Sequence, residues 1–404
     1  MSEQALKDIK ILDFSRVIAG PLLSMYLAQY GATVIKIESK SNPGTLRVSA
    51  PYKDFQPGLN RSGYFSTYNC NKYSMSLDLK HPRSMEVIKR LLGWCDIVLE
   101  NFAPGTMKKF NLDYQQLKKI KPDLIMISSS NQGQTGPDAH FAGYGYMLQA
   151  LCGFTALTGY SNEQISQPFG GLTDFVSPGL GATALLSAIE FRRRTGQGMY
   201  LDISQYECGL FLLSPLLLDF NINGNEFRRN GNRCDYASPH GAYPCKGEDR
   251  WCVISIESQE DWIALCRAVD NPEMANDRRY KNLEKRKENE DLLDKEIAKW
   301  TKTKTSEEVM SALQDCGIAA GVVQNPADLF NDPQILHRGH FKVLEHPEMG
   351  CHSYEKAPFQ LSETPADISM PAPCLGEHNE YICREILGLE DEDFIQLLQE
   401  GVFQ

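Results

Sequence analysis

Residues 9–38 read IKILDFSRVIAGPLLSMYLAQYGATVIKIE, and this stretch decides the fold class. The apolar run at 9–14 predicts a buried strand, residues 21–30 predict a helix that ends at Gly31, and residues 34–38 predict a second strand. Two apolar strands joined by a helix form a β-α-β unit, and the strands of such a unit pair in parallel.

The alternation of helix and strand continues through the first half of the chain. Helices are predicted at 82–92, at 114–120 and from 205 to about 220, and strands at 96–99, 124–129 and 200–203. Short apolar strands that alternate with helices are typical of a mostly parallel sheet covered by helices on both faces. The sequence therefore predicts the α/β class, with a large, doubly wound, mostly parallel sheet domain.

A second domain is predicted where the composition changes. Residues 221–235 are rich in Asn, Gly and Arg and indicate a linker. Beyond it the pattern predicts a strand at 251–256, another at 318–323, and helices at 259–269, 289–300 and 306–315. We expect a small α/β domain at 224–327 inserted into the large domain, which comprises 1–223 and 328–404.

Composition and charge bound the function. The chain has 404 residues, 42% of them hydrophobic, and a net charge of −11, which fits a globular enzyme and argues against a nucleic-acid partner. Its twelve cysteines include no C-x-x-C pair or zinc-type spacing, so we expect reduced thiols and no metal. The start of the chain has no signal-peptide pattern, and we expect a cytoplasmic protein that does not bind a membrane.

Loops at the carboxyl ends of parallel strands are the expected ligand surface. Here they fall at 15–20, 39–47, 101–105 and 130–137, and they are rich in small residues, glycine and proline. None carries the G-x-G-x-x-G fingerprint or the G-x-x-x-x-G-K-[ST] loop, so the sequence does not support NAD or ATP binding in those modes.

Asp174 is the main candidate for a catalytic residue. It follows Gly170 and Gly171 in the stretch GGLTDFVSPG at 170–179, and flanking glycines leave a carboxylate open to a ligand. Ser177 and Pro178 are the predicted N-cap and first position of the helix that follows. The alternative is that Asp174 is only a polar residue favoured near a helix start by the helix dipole.

Several ordered blocks resemble the family III CoA-transferases, the CaiB/BaiF-like group that contains formyl-CoA and carnitine CoA-transferases. They are ILDFSRVIAGP at 11–21, GATVIKIE at 31–38, NCNKYS at 69–74, ENFAPG at 100–105, RTGQG at 194–198, PHG at 239–241 and LGEH at 375–378. The resemblance extends over nearly the whole chain. It implies an interlocked homodimer, and the stretches around 190–230 and 325–345 are long enough for such threading.

The resemblance implies a covalent mechanism at Asp174. The aspartate attacks an acyl-CoA thioester to give a mixed anhydride, and the CoA thiolate then attacks the aspartyl carbonyl. The resulting aspartyl-CoA thioester passes CoA to a second carboxylic acid. An aspartate of ordinary pKa is ionised at neutral pH and is nucleophilic without a base. Coenzyme A enters as part of the substrate, and the partners are small molecules.

The resemblance also implies a set of binding residues. Tyr144 corresponds to a tyrosine beside the active site. The positions that correspond to CoA contacts are Ile18, Ala19, Arg47, Leu77, Lys80, Asn101, Phe102, Ala103, Lys109 and Gly145. Residue type alone favours the structural explanations, in which Lys80 and Lys109 are surface charges and Phe102 is a core residue.

Departures from the family pattern leave alternatives open. Ile18 stands where the formyl-CoA enzymes have glutamine, and YASPHG at 236–241 replaces their tetraglycine loop, which argues against formate or oxalate as substrate. An α-methylacyl-CoA racemase of the same fold is the alternative enzyme, although its catalytic histidine corresponds to Tyr144. A non-catalytic CoA-binding protein is a third possible function.

The role of His240 is open at this point. It is either a second catalytic group or a structural turn residue.

Overall fold

The computed structural model describes residues 4–403 of the chain. A six-stranded, wholly parallel sheet has the strand order β3-β2-β1-β4-β5-β6. Its strands are β1 (Lys10–Asp13), β2 (Thr33–Glu38), β3 (Lys72–Ser76), β4 (Ile97–Glu100), β5 (Ile125–Ser130) and β6 (Tyr200–Ser204). This is the strand order of a doubly wound α/β sheet, and it confirms the predicted fold class.

Strands β1, β2, β4 and β5 are buried on both faces of the sheet, because apolar side chains point to both sides of each of them. Leu12, Ile35, Val98 and Met126 lie side by side in register and face one layer of helices. The residues that alternate with them face a second apolar layer, which includes Leu185. Continuous apolar runs, rather than alternating ones, are the sequence signature of strands with this double burial.

The helices of the described chain lie between and after these strands. Up to residue 223 they are α1 (Ala19–Gln29), α2 (Gly63–Thr67), α3 (Ser84–Trp94), α4 (Thr106–Lys109), α5 (Tyr114–Ile120), α6 (Gly145–Cys152), α7 (Phe154–Leu157), α8 (Leu172–Thr195), α9 (Gln205–Leu212) and α10 (Ser214–Asn223). Beyond it they are α11 (Gln259–Ala268), α12 (Leu283–Glu288), α13 (Glu290–Thr301), α14 (Ser306–Gln314), α15 (Pro326–Asn331), α16 (Pro333–His337), α17 (Asn379–Tyr381) and α18 (Asp391–Gln399).

The described residues divide into two compact units. The second unit comprises Ala156–Ser166 and Phe227–Ile335, and the first comprises the remainder. Within the second unit, β7 (His240–Pro244), β8 (Trp251–Ser255) and β9 (Ala319–Val322) form an antiparallel sheet. Trp262 is buried in the core of this unit. The boundaries 224 and 327, taken from the sequence, stay a prediction for the small domain.

The carboxyl-terminal segment from Leu336 belongs to the first unit. It contains an antiparallel hairpin, β10 (Phe341–His346) and β11 (Gly350–Glu355), that the sequence pattern did not predict. Phe394 and Val402 lie in the apolar layer beside the parallel sheet. Residues from both ends of the described chain therefore belong to the same apolar layer.

Two helix boundaries differ from the sequence-based expectation. Helix α8 begins at Leu172 with Gly171 as its N-cap, so the prediction of Ser177 as N-cap and Pro178 as first position is wrong. Pro178 is tolerated inside the helix, at the expense of one backbone hydrogen bond. The predicted single helix from 205 to about 220 is two helices, because α9 ends before Ser214 and Pro215 starts α10.

Helix α8 is the one helix among residues 4–403 that is long and apolar enough to span a membrane, by length and composition only. A core helix of a globular enzyme meets the same criteria. In the first unit α8 packs closely on α1, because a Cβ at Gly181 would lie 2.6 Å from Leu23 Cδ1. We therefore interpret α8 as a core helix.

Candidate active site

A cavity of about 200 Å³ in the first unit lies where the parallel strands end. Three of the four predicted strand-end loops reach it: Val17 follows β1, Asn101 follows β4, and Asn131 follows β5. Asp174 and Tyr144 line the same cavity. The structure thus brings together the two residues that the sequence singled out for catalysis and one group of the expected CoA contacts.

Asp174 lies in the first turn of α8, and this helix start determines its environment. Its backbone N–H donates to the Gly171 carbonyl at 2.8 Å. A carboxylate in the first turn is stabilised by the partial positive charge of the helix N-terminus. Helix α6 fixes the preceding loop, because Gln149 accepts from the Leu172 N–H at 3.2 Å and donates to the Pro168 carbonyl at 3.2 Å.

Two glycines enclose the Asp174 carboxylate. A Cβ on Gly145 would lie 2.5 Å from Asp174 Oδ2, and one on Gly171 would lie 2.6 Å from the same oxygen. Real side chains do not approach this closely, so only glycine fits at either position. Gly145, expected from the resemblance to contact CoA, therefore lies against the carboxylate itself.

The carboxylate of Asp174 is unusual in its ionisation. Burial raises its pKa to about 6, while a hydrogen bond from the Gln205 side chain acts in the opposite direction. Because the ordinary aspartate pKa is near 3.8, the sequence-based expectation of a normal carboxylate needs this correction. Asp174 is still mostly ionised at neutral pH, and a partly desolvated carboxylate is a better nucleophile than a hydrated one.

Gln205 is a site residue that sequence reasoning missed. It is the first residue of α9, directly after the N-cap Ser204, and it lines the cavity together with Asp174. A signal was present in the sequence: the residue follows the predicted strand at 200–203. Because no loop separates β6 from α9, this strand end was absent from the predicted ligand surface.

Tyr144 occupies the N-cap position of α6. Its side chain is 58% exposed, so it is not a core aromatic. The Asn131 amide donates to the Gly143 carbonyl at 2.8 Å and ties the loop after β5 to the residue before Tyr144. Tyr144 is therefore an exposed residue at the cavity that contains Asp174.

The loop after β1 is fixed by buried polar groups. Asp13 accepts hydrogen bonds from the Ser15 backbone at 2.7 Å and from the Ser24 hydroxyl at 2.6 Å. The Lys36 ammonium donates to the Ser15 carbonyl at 2.7 Å. From the next strand end, the side-chain amide of Asn101 bonds the backbone of Arg16. The amide of Asn101 is thus engaged within the protein rather than directed at a ligand.

Arg47 has a different environment from the one expected of a CoA contact. Its guanidinium is 1% exposed and makes two hydrogen bonds of 2.7 Å to the Glu38 carboxylate. The remaining contacts go to the Leu59 and Pro373 carbonyls and the Asn60 side chain. A guanidinium with these partners stabilises the fold, and we do not include Arg47 in the CoA site.

The other expected CoA contacts fall into two groups. Ile18, Ala19 and Leu77 are buried, the first two at the start of α1 and the third in an apolar layer beside the sheet. Ala103, Lys80 and Lys109 are exposed on the first unit, and Phe102 is half-buried at the cavity. The two lysines are thus accessible for a phosphate contact, whereas Leu77 can contribute only its backbone.

The Glu100 side chain is hydrogen-bonded to the Phe102 backbone. Its Oε2 accepts the Phe102 N–H at 2.7 Å, and burial raises its pKa to about 7. This hydrogen bond determines how the loop at 101–105 leaves β4. Sequence reasoning did not single out Glu100, although it lies in the ENFAPG block.

His240 lies at the start of β7 in the second unit. Its Nδ1 is hydrogen-bonded to the Asn232 carbonyl, and the residue lines a cavity of that unit. The backbone partner fits the turn role, and a catalytic role for His240 stays a hypothesis. Among residues 4–403 no group of three or more His, Cys, Asp or Glu side chains is arranged to hold a metal ion.

Comparison with known proteins identifies the family. The family model described as CoA-transferase family III matches residues 6–379. The chain belongs to CoA-transferase family III. It is similar to succinyl-CoA–D-citramalate CoA-transferase of Chloroflexus aurantiacus, with 30% identity over 98% of each chain. It is also similar to succinyl-CoA:glutarate CoA-transferase of Mus musculus, with 29% identity over 100% of this chain and 91% of the relative.

A solved structure agrees with this assignment. The crystal structure of a CAIB/BAIF family protein from Brucella suis matches with a TM-score of 0.87 and 27% identity, covering 96% of this chain and 100% of that one. The family III match confirms the resemblance noted from the sequence. Together with relatives that are CoA-transferases along nearly the full chain, it also confirms the predicted enzyme class, an acyl-CoA:carboxylate CoA-transferase.

Proposed function

We propose that the protein moves CoA from an acyl-CoA thioester to a carboxylic acid through a covalent intermediate on Asp174. The observation that supports this best is the position of the carboxylate. It lies in a cavity at the strand ends, enclosed by Gly145 and Gly171, with its pKa raised by burial to about 6. An ionised, partly desolvated carboxylate with an open approach is suited to nucleophilic attack on a thioester.

The proposed steps balance without a proton, a metal or an oxidant. An oxygen of Asp174 attacks the thioester carbon, the C–S bond breaks, and CoA leaves as the thiolate. The thiolate then adds to the Asp174 carboxyl carbon, and the anhydride C–O bond breaks to release the donor acid as its carboxylate. The acceptor carboxylate and the returning thiolate repeat these two steps in reverse, which regenerates Asp174.

We place CoA along the strand-end loops of the first unit. Ile18 and Ala19 provide the start of α1, Phe102 and Ala103 provide an apolar contact for the adenine, and the exposed Lys80 and Lys109 provide charge for the phosphates. In this proposal Asn101 contributes by holding the loop, and Arg47 has no part in it. Tyr144 borders the reacting thioester.

Similarity suggests which donor to test first. The relatives compared above are named for succinyl-CoA together with D-citramalate or glutarate. We propose succinyl-CoA as donor and a dicarboxylic acid as acceptor. Formate and oxalate are not expected, because Ile18 and the 236–241 segment depart from the formyl-CoA enzymes.

We further propose an interlocked homodimer in the cytoplasm. Helix α10 is apolar in sequence, yet none of its residues is buried within the chain, and Leu218, Phe220 and Ile222 are each more than half exposed. Exposed apolar patches of this kind mark protein interfaces. All twelve cysteines are free thiols, which fits a reducing compartment.

Steady-state CoA exchange with succinyl-CoA tests the function. Asp174→Ala is expected to abolish exchange, whereas Asp393→Ala, which removes an exposed first-turn aspartate of α18, is expected to leave it unchanged. Full exchange in Asp174→Ala would refute the mechanism. Incorporation of deuterium next to the thioester in the absence of an acceptor acid would instead indicate racemase chemistry.

A further inference from the structure

Gln205 is a buried polar residue next to Asp174. Only one end of its side-chain amide is engaged in a hydrogen bond. It lines the same cavity as Asp174, a hydrogen bond from its side chain lowers the pKa of the Asp174 carboxyl, and the residue is 4% exposed. Among the described residues, its Oε1 has no hydrogen-bond partner. A buried amide oxygen without a partner is costly in a folded protein, and a catalytic role is one explanation for such a group.

The orientation of this amide follows from its neighbour. An ionised carboxylate only accepts hydrogen bonds, so the Gln205 NH₂ group must face Asp174 and its Oε1 must point away. Ser204 caps α9 by accepting the Glu207 N–H at 3.2 Å, which fixes the first turn that carries Gln205. The amide donor is therefore placed by the end of β6 and by the helix cap.

From this geometry we infer that Gln205 is a catalytic residue whose amide N–H stabilises the oxyanion formed on the Asp174 carboxyl group. The inference rests on the proposed covalent function. When the thiolate adds to the carboxyl carbon of acylated Asp174, the C=O electron pair moves onto the non-bridging oxygen. A donor already directed at that carboxyl group meets the new charge without rearrangement.

A neutral donor suits the first step as well. The residues that line the cavity in the described chain include no lysine or arginine. A cation there would hold the carboxylate strongly and lower its nucleophilicity, whereas an amide orients it and leaves most of its charge available. Gly145 and Gly171 occupy the space around Oδ2, and the Gln205 side chain is the hydrogen-bond donor that lowers the pKa of Asp174.

The test compares Gln205→Met, which keeps the shape and removes the donor, with Gln259→Ala. Gln259 is the matched control because it too is the first residue of a helix capped by a serine, Ser258, but in the second unit. We expect kcat of Gln205→Met to fall by about 100-fold, the loss typical of one oxyanion donor, with KM for succinyl-CoA nearly unchanged. Gln259→Ala is expected to keep wild-type kcat.

The pH dependence of kcat/KM distinguishes a catalytic role of Gln205 from a purely structural one, because a structural role would leave it unchanged. The Gln205 hydrogen bond lowers the pKa of Asp174, so its loss should shift the acidic limb of kcat/KM to higher pH. Gln205→Glu should shift it further, because a second carboxylate opposes ionisation. Tyr144 at the N-cap of α6, Tyr146 within α6 and Tyr68 beside α2 are further titratable side chains near Asp174, and none of them is changed in these variants.

The outcomes separate this inference from the proposed function. If the wild type exchanges CoA through a modified Asp174 but Gln205→Met keeps wild-type kcat and pH profile, the inference is overturned and the function stands. If the wild type forms no adduct at Asp174, the function and the inference both fail. Should Gln205→Met not fold, Gln205→Asn decides in its place: its shorter amide is expected to lower kcat similarly, and wild-type kcat would overturn the inference.

Discussion

The side-chain amide of Asn101 makes two hydrogen bonds to the backbone of Arg16. Its Oδ1 accepts the Arg16 N–H at 2.6 Å, and its Nδ2 donates to the Arg16 carbonyl at 2.7 Å. One side chain at the end of β4 thereby fixes the loop after β1. Because the proposed CoA site begins with Ile18 and Ala19, this pair links two neighbouring strand ends in one binding surface.

Replacing Asn101 should weaken substrate binding more than it destabilises the fold. Each of its two hydrogen bonds contributes about 1 kcal/mol to holding the loop after β1. A substrate that has to order this loop itself loses about 2 kcal/mol of binding free energy, so Asn101→Ala is expected to raise KM for acyl-CoA about 30-fold. Asn101→Asp keeps the acceptor for the Arg16 N–H and should give an intermediate value. Steady-state kinetics and thermal unfolding measure both effects. A wild-type KM in Asn101→Ala would contradict the role of this contact.

A methyl group at Gly145 should lower kcat strongly. The added Cβ would meet Asp174 Oδ2 at 2.5 Å, so the carboxylate must move. A displacement of about 1 Å of a reacting group costs about 100-fold in rate, and this is the loss expected in kcat for Gly145→Ala. Gly93→Ala on α3 is the control, because its Cβ would meet nothing within 4 Å. Equal kcat values in the two variants would contradict the enclosure of Asp174.

Arg47→Ala should unfold more easily rather than bind CoA more weakly. The change removes the guanidinium that pairs with the buried Glu38 carboxylate, and loss of one member of a buried ion pair typically destabilises a fold by about 3–5 kcal/mol. We expect a lower denaturation midpoint in urea and an unchanged KM in the fraction that stays folded. The double variant Arg47→Met/Glu38→Leu should recover part of the loss. A raised KM at wild-type stability would restore Arg47 to the CoA site.

The pH dependence of catalysis should report the raised pKa of Asp174. With a pKa of about 6, the carboxylate loses its charge in mildly acidic solution. We expect kcat/KM to fall about tenfold for each pH unit below that value and to be flat between neutral pH and pH 8. An acidic limb near the ordinary aspartate pKa would show that the carboxylate is solvated in the working enzyme.

The same shift predicts a stability change with a definite sign. The folded pKa of Asp174 lies above the unfolded value of 3.8, so its protonated form stabilises the fold below that pH, and this contribution is lost as the pH rises through about 6. Asp174→Asn removes the buried charge and should raise stability at pH 7 by roughly 1–3 kcal/mol. Thermal unfolding at pH 7 and pH 4 measures it. An equal difference in unfolding temperature between Asp174→Asn and the wild type at the two pH values would contradict this explanation.

The parallel sheet followed from the sequence because its signals are local. Apolar runs such as 9–14 and 124–129 specify buried strands, and the helix 114–120 was found with its observed bounds. The hairpin β10–β11 was missed because its residues lack a continuous apolar run and because Pro and His interrupt the surrounding segment. Its pairing depends on tertiary context.

The sequence predicted a site residue correctly only where a local pattern marked that residue type. Asp174 was found through its glycines, but the start of α8 was misplaced because a serine followed by proline is a strong local helix signal. In the structure the helix starts after Gly171, which packs against Gly145, a residue distant in sequence. Arg47 and Gln205 differ from expectation for a related reason: burial and partners decide whether a polar side chain serves the fold or the ligand.

The most direct test of the central claim is the mass of the peptide that contains Asp174 after reaction with succinyl-CoA in the absence of an acceptor acid. Hydroxylamine should convert the aspartyl-CoA thioester to a hydroxamate on that one residue, and Asp174→Asn should show no such product. An active wild-type enzyme whose Asp174 peptide stays unmodified throughout turnover would contradict the covalent mechanism.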